Sequence, residues 1–130
     1  MSPVIFIDND AKIRLVGGAS GGPRIPTATS QTILNYFGRG MDILSAVAHP
    51  RVHSQLFPLT VYVEHDHRLL SGLTLCNPES VDQSLAKRGH NITRWSKSMA
   101  VSQFIAIDPD TGLLTAVSDP RKSGRPRGLV

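Results

Sequence analysis

Four glycines in six residues, Gly17-Gly18-Ala19-Ser20-Gly21-Gly22, are the strongest chemical signal in this sequence. Glycine leaves its backbone N–H uncovered. A glycine loop that feeds a helix gathers such groups where the helix dipole favours negative charge. Gly21 and Gly22 lie nearest the following helix, so their amides are the candidates to hold the oxyanion of an acyl-transfer reaction and to bind its substrate. On the motif alone, a tight turn with close strand–helix packing is the simpler account. No Gly-Lys-Ser/Thr follows, so this is not a Walker phosphate loop, and Pro23 and Pro26 interrupt the place where a dinucleotide-binding helix would begin.

Other residue types offer weaker chemistry. His53, two residues after Arg51, is of a residue type that can serve as a general base, but no Ser or Cys nucleophile is tied to it by spacing. A structural role is the better expectation, with Arg51 and His53 bonding carbonyls in an irregular segment. His65-Asp66-His67 places two imidazoles on one face of a strand without a third ligand, which makes a poor metal site. His90 follows Gly89 at a helix C-terminus, where the dipole favours a cation. Asp108 and Asp110 belong to a turn rather than a cleft, and Asp8-Asn9-Asp10 lacks the spacing of a calcium loop. Asp119 beside Arg121 reads as an ion pair fixing the last segment. Cys76, the single cysteine, can form no internal disulfide and no cysteine-based zinc site. No metal or cofactor is expected.

The elements that must position the glycines follow from apolar periodicity. Val4 to Ile7 reads as a buried strand, Asp8-Asn9-Asp10 as its turn, and Lys12 to Val16 as the returning strand. Gly17 to Gly22 is expected to be loop, because glycine in an element interior loses the most conformational entropy. A helix is predicted from Thr27 to Phe37, stopped at Gly38, and a shorter one from Ile43 to Ala48 capped by Asp42. Arg51 to Pro58 should be irregular and Leu59 to Glu64 a strand. Glu79 to Arg88 reads as a helix ended by Gly89. Asn91 to Trp95 and Val101 to Ile107 read as strands, and Leu113 to Val117 as the return from the Asp108-Pro109-Asp110-Thr111-Gly112 turn. This order favours a layered α+β fold over a doubly wound parallel sheet. The folded unit is assigned to residues 1–118, and the Pro/Gly/Arg-rich residues 119–130 to an irregular tail.

A chain of 130 residues with 40% hydrophobic and 18% charged residues suits one globular unit. The formal charge of +4 does not indicate a nucleic-acid partner. Four of the fourteen Lys and Arg residues (Arg121, Lys122, Arg125, Arg127) fall in the last ten positions, read as a solvated tail. The others are interspersed with acids, without an aromatic platform for bases. No run approaches the roughly 20 apolar residues of a membrane span.

Five stretches, taken together and in order, resemble a known family. They are Met1-Ser2-Pro3, Gly17 to Gly22 with Arg24-Ile25, Pro50-Arg51-Val52-His53-Ser54-Gln55-Leu56, Gly89-His90, and Asp119-Pro120-Arg121. The chain resembles the C-terminal part of the small subunit of gamma-glutamyltranspeptidases from Met1 to about Gly128. The resemblance implies a partial Ntn-hydrolase αββα sandwich. It also implies an enzyme that frees an N-terminal threonine by cleaving itself, attacks the gamma-glutamyl amide of glutathione or a similar compound, and passes the acyl group to water, amino acids or peptides.

In that family the tandem glycines match Gly21 and Gly22, whose amides would form the oxyanion hole. The catalytic threonine and the serine pair that grips the substrate would fall upstream of Met1, so the remainder of the enzyme is an implied partner. Pro26 stands where the family commonly has threonine, and nothing here would free the neighbouring Thr27 as an N-terminal nucleophile. The family implies an extracellular, cell-surface or periplasmic setting. The competing expectation is a non-catalytic interaction module with exposed apolar sheet surface.

Overall fold

The computed structural model describes residues 2–65 and 78–128. Strands β1 (Val4–Ile7), β2 (Ile13–Ser20), β6 (Val101–Ile107) and β7 (Leu114–Ser118) form an antiparallel sheet in the order β1-β2-β6-β7. A smaller sheet has the order β3 (Val52–His53), β4 (Val61–Glu64), β5 (Ile92–Trp95). In it β3 runs antiparallel to β4, whereas β4 and β5 are parallel. Among the described residues, three α-helices accompany the sheets. Helix α1 (Ile25–Ile33) packs on β2 and β6, α2 (Ile43–Ala48) on β6 and β7, and α3 (Pro78–Lys87) on β4 and β5.

Register explains which side chains meet the helices. Leu15 pairs with Ala106, and Gly17 with Phe104, which pairs in turn with Val117. Directly opposed residues share a face. That face carries Leu15, Phe104, Ala106 and Val117, which form a buried core with Ile43 and Val47 of α2. A second cluster of small residues, Ala19, Ala28 and Ala100 with Ile25 beside them, lets α1 lie close to the sheet.

The opposite face has the paired series Ile5, Val16, Ile105 and Ala116. Its large residues remain open, with Ile5 62% and Ile105 41% exposed. The expectation of exposed apolar sheet surface is met there.

The first correction concerns the glycines. Strand β2 does not stop at Val16 but continues through Gly17 and Gly18 to Ser20. The entropic cost of glycine in a strand is accepted because of what lies beside it. A Cβ on Gly17 would stand 2.2 Å from Cδ1 of the Phe104 ring, so that ring fills the space a side chain would need. A Cβ on Gly18 would meet the Ser2 carbonyl oxygen at 3.0 Å.

Other boundaries also shift. Helix α1 begins at Ile25, ahead of Thr27, and passes into a wider π-helical turn over Leu34–Gly38. Val52–His53 is a short strand inside the segment expected to be irregular, and β4 starts at Val61 rather than Leu59. The Asp42 side chain caps α2 by accepting from the Ser45 amide at 2.9 Å. Gly89, with φ +84°, ends α3. Its own amide bonds Ala86 and the His90 amide bonds Leu85, a Schellman closure.

Candidate active site

The glycine signal resolves into two parts with different physical roles. Gly17 and Gly18 are strand residues, whereas Gly21 and Gly22 make the exit from β2 into a 3-10 turn, Gly22–Arg24, that runs into α1. Both have positive φ, +139° at Gly21 and +64° at Gly22, a region that side-chain-bearing residues rarely enter. Their surroundings differ. A Cβ on Gly21 would lie 2.9 Å from Cα of Ala100, while no atom stands within 4 Å of the corresponding point on Gly22. Gly21 is packed against Ala100 just ahead of β6, and the side-chain position of Gly22 is open, at the first residue of the Gly22–Arg24 turn.

Side-chain contacts tie the turn to the smaller sheet and to α1. The Arg24 guanidinium lies 4.4 Å from the Trp95 ring centroid, a cation–π contact, and Trp95 meets Tyr62 edge-on at 5.5 Å. Thr27 donates its hydroxyl to the Arg24 carbonyl at 3.0 Å. The same hydroxyl oxygen lies 2.9 Å from His53 Nδ1. Gln31, one turn further along α1, uses its side-chain amide like a strand residue. It donates to the Val52 carbonyl at 2.7 Å and accepts from the Val52 amide at 2.9 Å. So β3 is latched to α1 at Thr27 and Gln31, which share one helix face.

Behind the turn lies a buried group of four charges, Arg51, Glu64, Asp119 and Arg121. Arg51 donates to Asp119 at 2.7 Å and to the carbonyls of Ala100 at 2.8 Å and Val47 at 3.0 Å. Arg121 clasps Glu64 through Nε at 2.8 Å and through Nη2, and reaches Asp119 at 3.1 Å. Asp119 also accepts from the Ser102 amide at 2.8 Å, and Glu64 from the Met99 amide at 3.2 Å. Two cations balance two anions, and backbone groups complete their bonding, the condition under which charges tolerate burial. Burial works against the Asp119 charge, but the Arg51 and Arg121 guanidiniums outweigh it and hold its carboxyl below the ordinary aspartate range.

This network corrects the reading of the C-terminal segment. Asp119 and Arg121 do form the expected ion pair, yet Arg121 is no member of a solvated tail, because its side chain is 0% exposed. Arg51 bonds carbonyls as expected. His53 does not: its partners are the Thr27 hydroxyl and, at 3.3 Å, the Gln55 side-chain amide.

The remaining candidates fall into structural roles. Asp108 organises its turn by accepting from the Thr111 amide at 2.8 Å and hydroxyl at 2.7 Å, and these bonds lower its pKa. Asp8 does the same for the first hairpin through the amides of Lys12 and Asp10. His65 Nε2 lies 3.2 Å from Asp82, which also accepts from Arg94 Nε at 2.9 Å. Asp66, His67 and Cys76 lie outside the described residues. Gln31 and Glu64 escaped the sequence reading as site residues, and Thr27 was weighed there only as a nucleophile; spacing could not have placed Glu64, which is separated from Arg121 by 57 residues.

The profile of the Gamma-glutamyltranspeptidase family matches residues 1–129. Among curated proteins the chain is similar to Glutathione hydrolase 2 of Arabidopsis thaliana, 36% identical over 98% of this chain and 22% of that protein. It is also similar to the Glutathione hydrolase proenzyme of Pseudomonas aeruginosa, 34% identical over all of this chain and 21% of that protein. Among solved structures, a mutant gamma-glutamyltranspeptidase of Helicobacter pylori superimposes with a TM-score of 0.78 at 34% identity, over 94% of this chain and 61% of that one. The enzyme from Pseudomonas nitroreducens complexed with L-DON gives 0.74 at 31% identity, over all of this chain and 61% of that one. The chain thus spans about a fifth of the length of the curated relatives it matches. It belongs to the gamma-glutamyltranspeptidase family, as part of an Ntn-hydrolase αββα sandwich.

Proposed function

We propose that this chain supplies the oxyanion-holding part of a gamma-glutamyltransferase or glutathione hydrolase whose nucleophile comes from other sequence. The substrate is glutathione or another gamma-glutamyl compound. A threonine hydroxyl gives its proton to that threonine's own amine as its oxygen bonds the gamma-carbonyl carbon, and the carbonyl electrons move onto oxygen; the held proton is the one the leaving amine later takes up. The Gly21 and Gly22 amides hold that oxyanion. Its collapse expels the amine, which takes up a proton, and water, an amino acid or a peptide then accepts the acyl group.

The observation that carries this reading is the contrast between the two glycines. Gly21 is pinned against Ala100, while no atom stands within 4 Å of the side-chain position of Gly22 at the start of the Gly22–Arg24 turn. Such donors act because they are fixed before charge develops, and loss of one costs about 10²–10³ in kcat.

The test is release of product from a chromogenic gamma-glutamyl anilide by the chain joined to the upstream segment. Turnover that falls about 10²-fold in Gly22→Val, with the fold retained, supports the assignment. Undiminished turnover removes it.

A second reading, a non-catalytic docking module, draws on the open face of Ile5, Val16, Ile105 and Ala116. In the enzyme reading the same face is covered by the rest of the sandwich. An assembled polypeptide that folds but shows no turnover would favour the docking module.

A further inference from the structure

The position of His53 goes beyond a generic structural role. The residue is 4% exposed, and it lies in the short strand β3, whose backbone is already latched to α1 by Gln31. The hydroxyl of Thr27 has one proton. With that proton on the Arg24 carbonyl, 3.0 Å away, the 2.9 Å contact to Nδ1 can be a hydrogen bond only if Nδ1 bears the hydrogen. The other ring nitrogen, Nε2, faces the Gln55 side-chain amide at 3.3 Å. Gln55 Nε2 itself donates to the Phe57 carbonyl at 3.4 Å, and turning the amide over at the cost of that long bond presents its N–H to His53 Nε2, as a ring protonated on Nδ1 requires.

We propose that His53 is a positioning residue for the glycine turn. Its Nδ1–H donates to Thr27 Oγ1 and thereby fixes the Thr27 hydroxyl on the carbonyl of Arg24, the last residue of the Gly22–Arg24 turn. This inference rests on the proposed role of Gly21 and Gly22. It adds that their amides are aimed by a side-chain relay running from β3 through the first turn of α1. The relay touches no reacting atom. It sets the angle at which the helix leaves the strand, where a misplacement of about 1 Å can cost 10²-fold in rate.

The experiment compares three replacements of His53 in the chain joined to its upstream segment. His53→Asn places an amide N–H near the position of Nδ1, whereas His53→Gln extends its N–H toward the position of Nε2, and His53→Leu has no donor. Retained kcat in His53→Asn, with about 10²-fold lower kcat and little-changed KM in the other two, is the expected result. Thr27→Val, an isosteric change, should show the same loss, and combining it with His53→Leu should add little. Equal losses in His53→Asn and His53→Leu would reduce His53 to packing, and full activity in His53→Leu would remove it from the relay.

A second readout does not depend on turnover. In the same polypeptide with 15N-labelled histidine rings, His53 should show a protonated, slowly exchanging Nδ1 that loses protection in Thr27→Val. An unprotonated Nδ1 overturns the relay whatever the activity. A protonated Nδ1 in a polypeptide without gamma-glutamyl turnover upholds the relay and sinks the enzymatic reading instead.

Discussion

The Arg51 guanidinium donates to the carbonyl of Ala100 at 2.8 Å, across 49 residues of sequence. Ala100 is the residue against which Gly21 packs, with its Cα 2.9 Å from the point where a Gly21 side chain would begin. A buried charge network and the candidate oxyanion turn therefore meet at one backbone position. The strength of the network fixes the start of β6, and the start of β6 limits where the turn can sit.

Removing one member should expose that dependence. Asp119→Ala leaves Arg51 and Arg121 buried beside fewer anions, and breaking such a pair from one side costs about 3–5 kcal/mol. Urea unfolding of the assembled polypeptide measures the loss. A change below about 1 kcal/mol, the range of exposed ion pairs, would show that the network is not buried in solution.

The glycines should separate by effect. Gly17→Ala forces a methyl into the Phe104 ring and should destabilise by about 1–3 kcal/mol, as overpacking does, with partial recovery when Phe104→Leu is added. Gly22→Ala meets no neighbouring atom and pays only for its positive φ, about 1–2 kcal/mol. Its larger effect should be on turnover. Thermal melts and kinetics on the same two variants test the division, and the reverse pattern would refute it.

His49 gives a pH dependence with a definite sign. Burial lowers its pKa, opposed by the Pro50 carbonyl bond at 2.9 Å and reinforced by Arg39 and Arg121. A histidine whose folded pKa lies below its unfolded value, about 6.5, contributes nothing against protons above that pH. Stability is fully present there and falls as pH drops from about 6.5 through the lower folded value. Asp119, with its depressed pKa, adds a second loss as pH falls below about 3.9 toward its folded value. Denaturation midpoints measured from pH 7 to pH 5 should decline less in His49→Gln than in the unsubstituted protein. Equal slopes would assign the decline to another group.

The open sheet face predicts association. Ile5, at 62% exposure, and Ile105, at 41%, lie on the face turned away from α1 and α2. The 130-residue chain by itself should self-associate with rising concentration in sedimentation runs. Ile105→Lys should shift the chain toward monomer, and a monomeric unsubstituted chain at all concentrations would count against the exposed face.

What the sequence determined by itself was local. Alternating residues and turn chemistry marked the β1–β2 and β6–β7 hairpins, because side-chain period and Asp-based turns are decided within a few residues. Asp42 and Gly89 marked helix ends for the same reason. Family membership was also legible, since it rests on the order of short motifs along the chain.

Tertiary structure alone decided the rest. That Gly17 belongs to a strand depends on Phe104, and that Arg121 is buried depends on Glu64, 57 residues away. No local pattern carries either fact, because both arise from which surfaces the fold brings together. The same holds for His53, whose type suggested a base and whose partner, Thr27, is supplied by a helix 26 residues earlier.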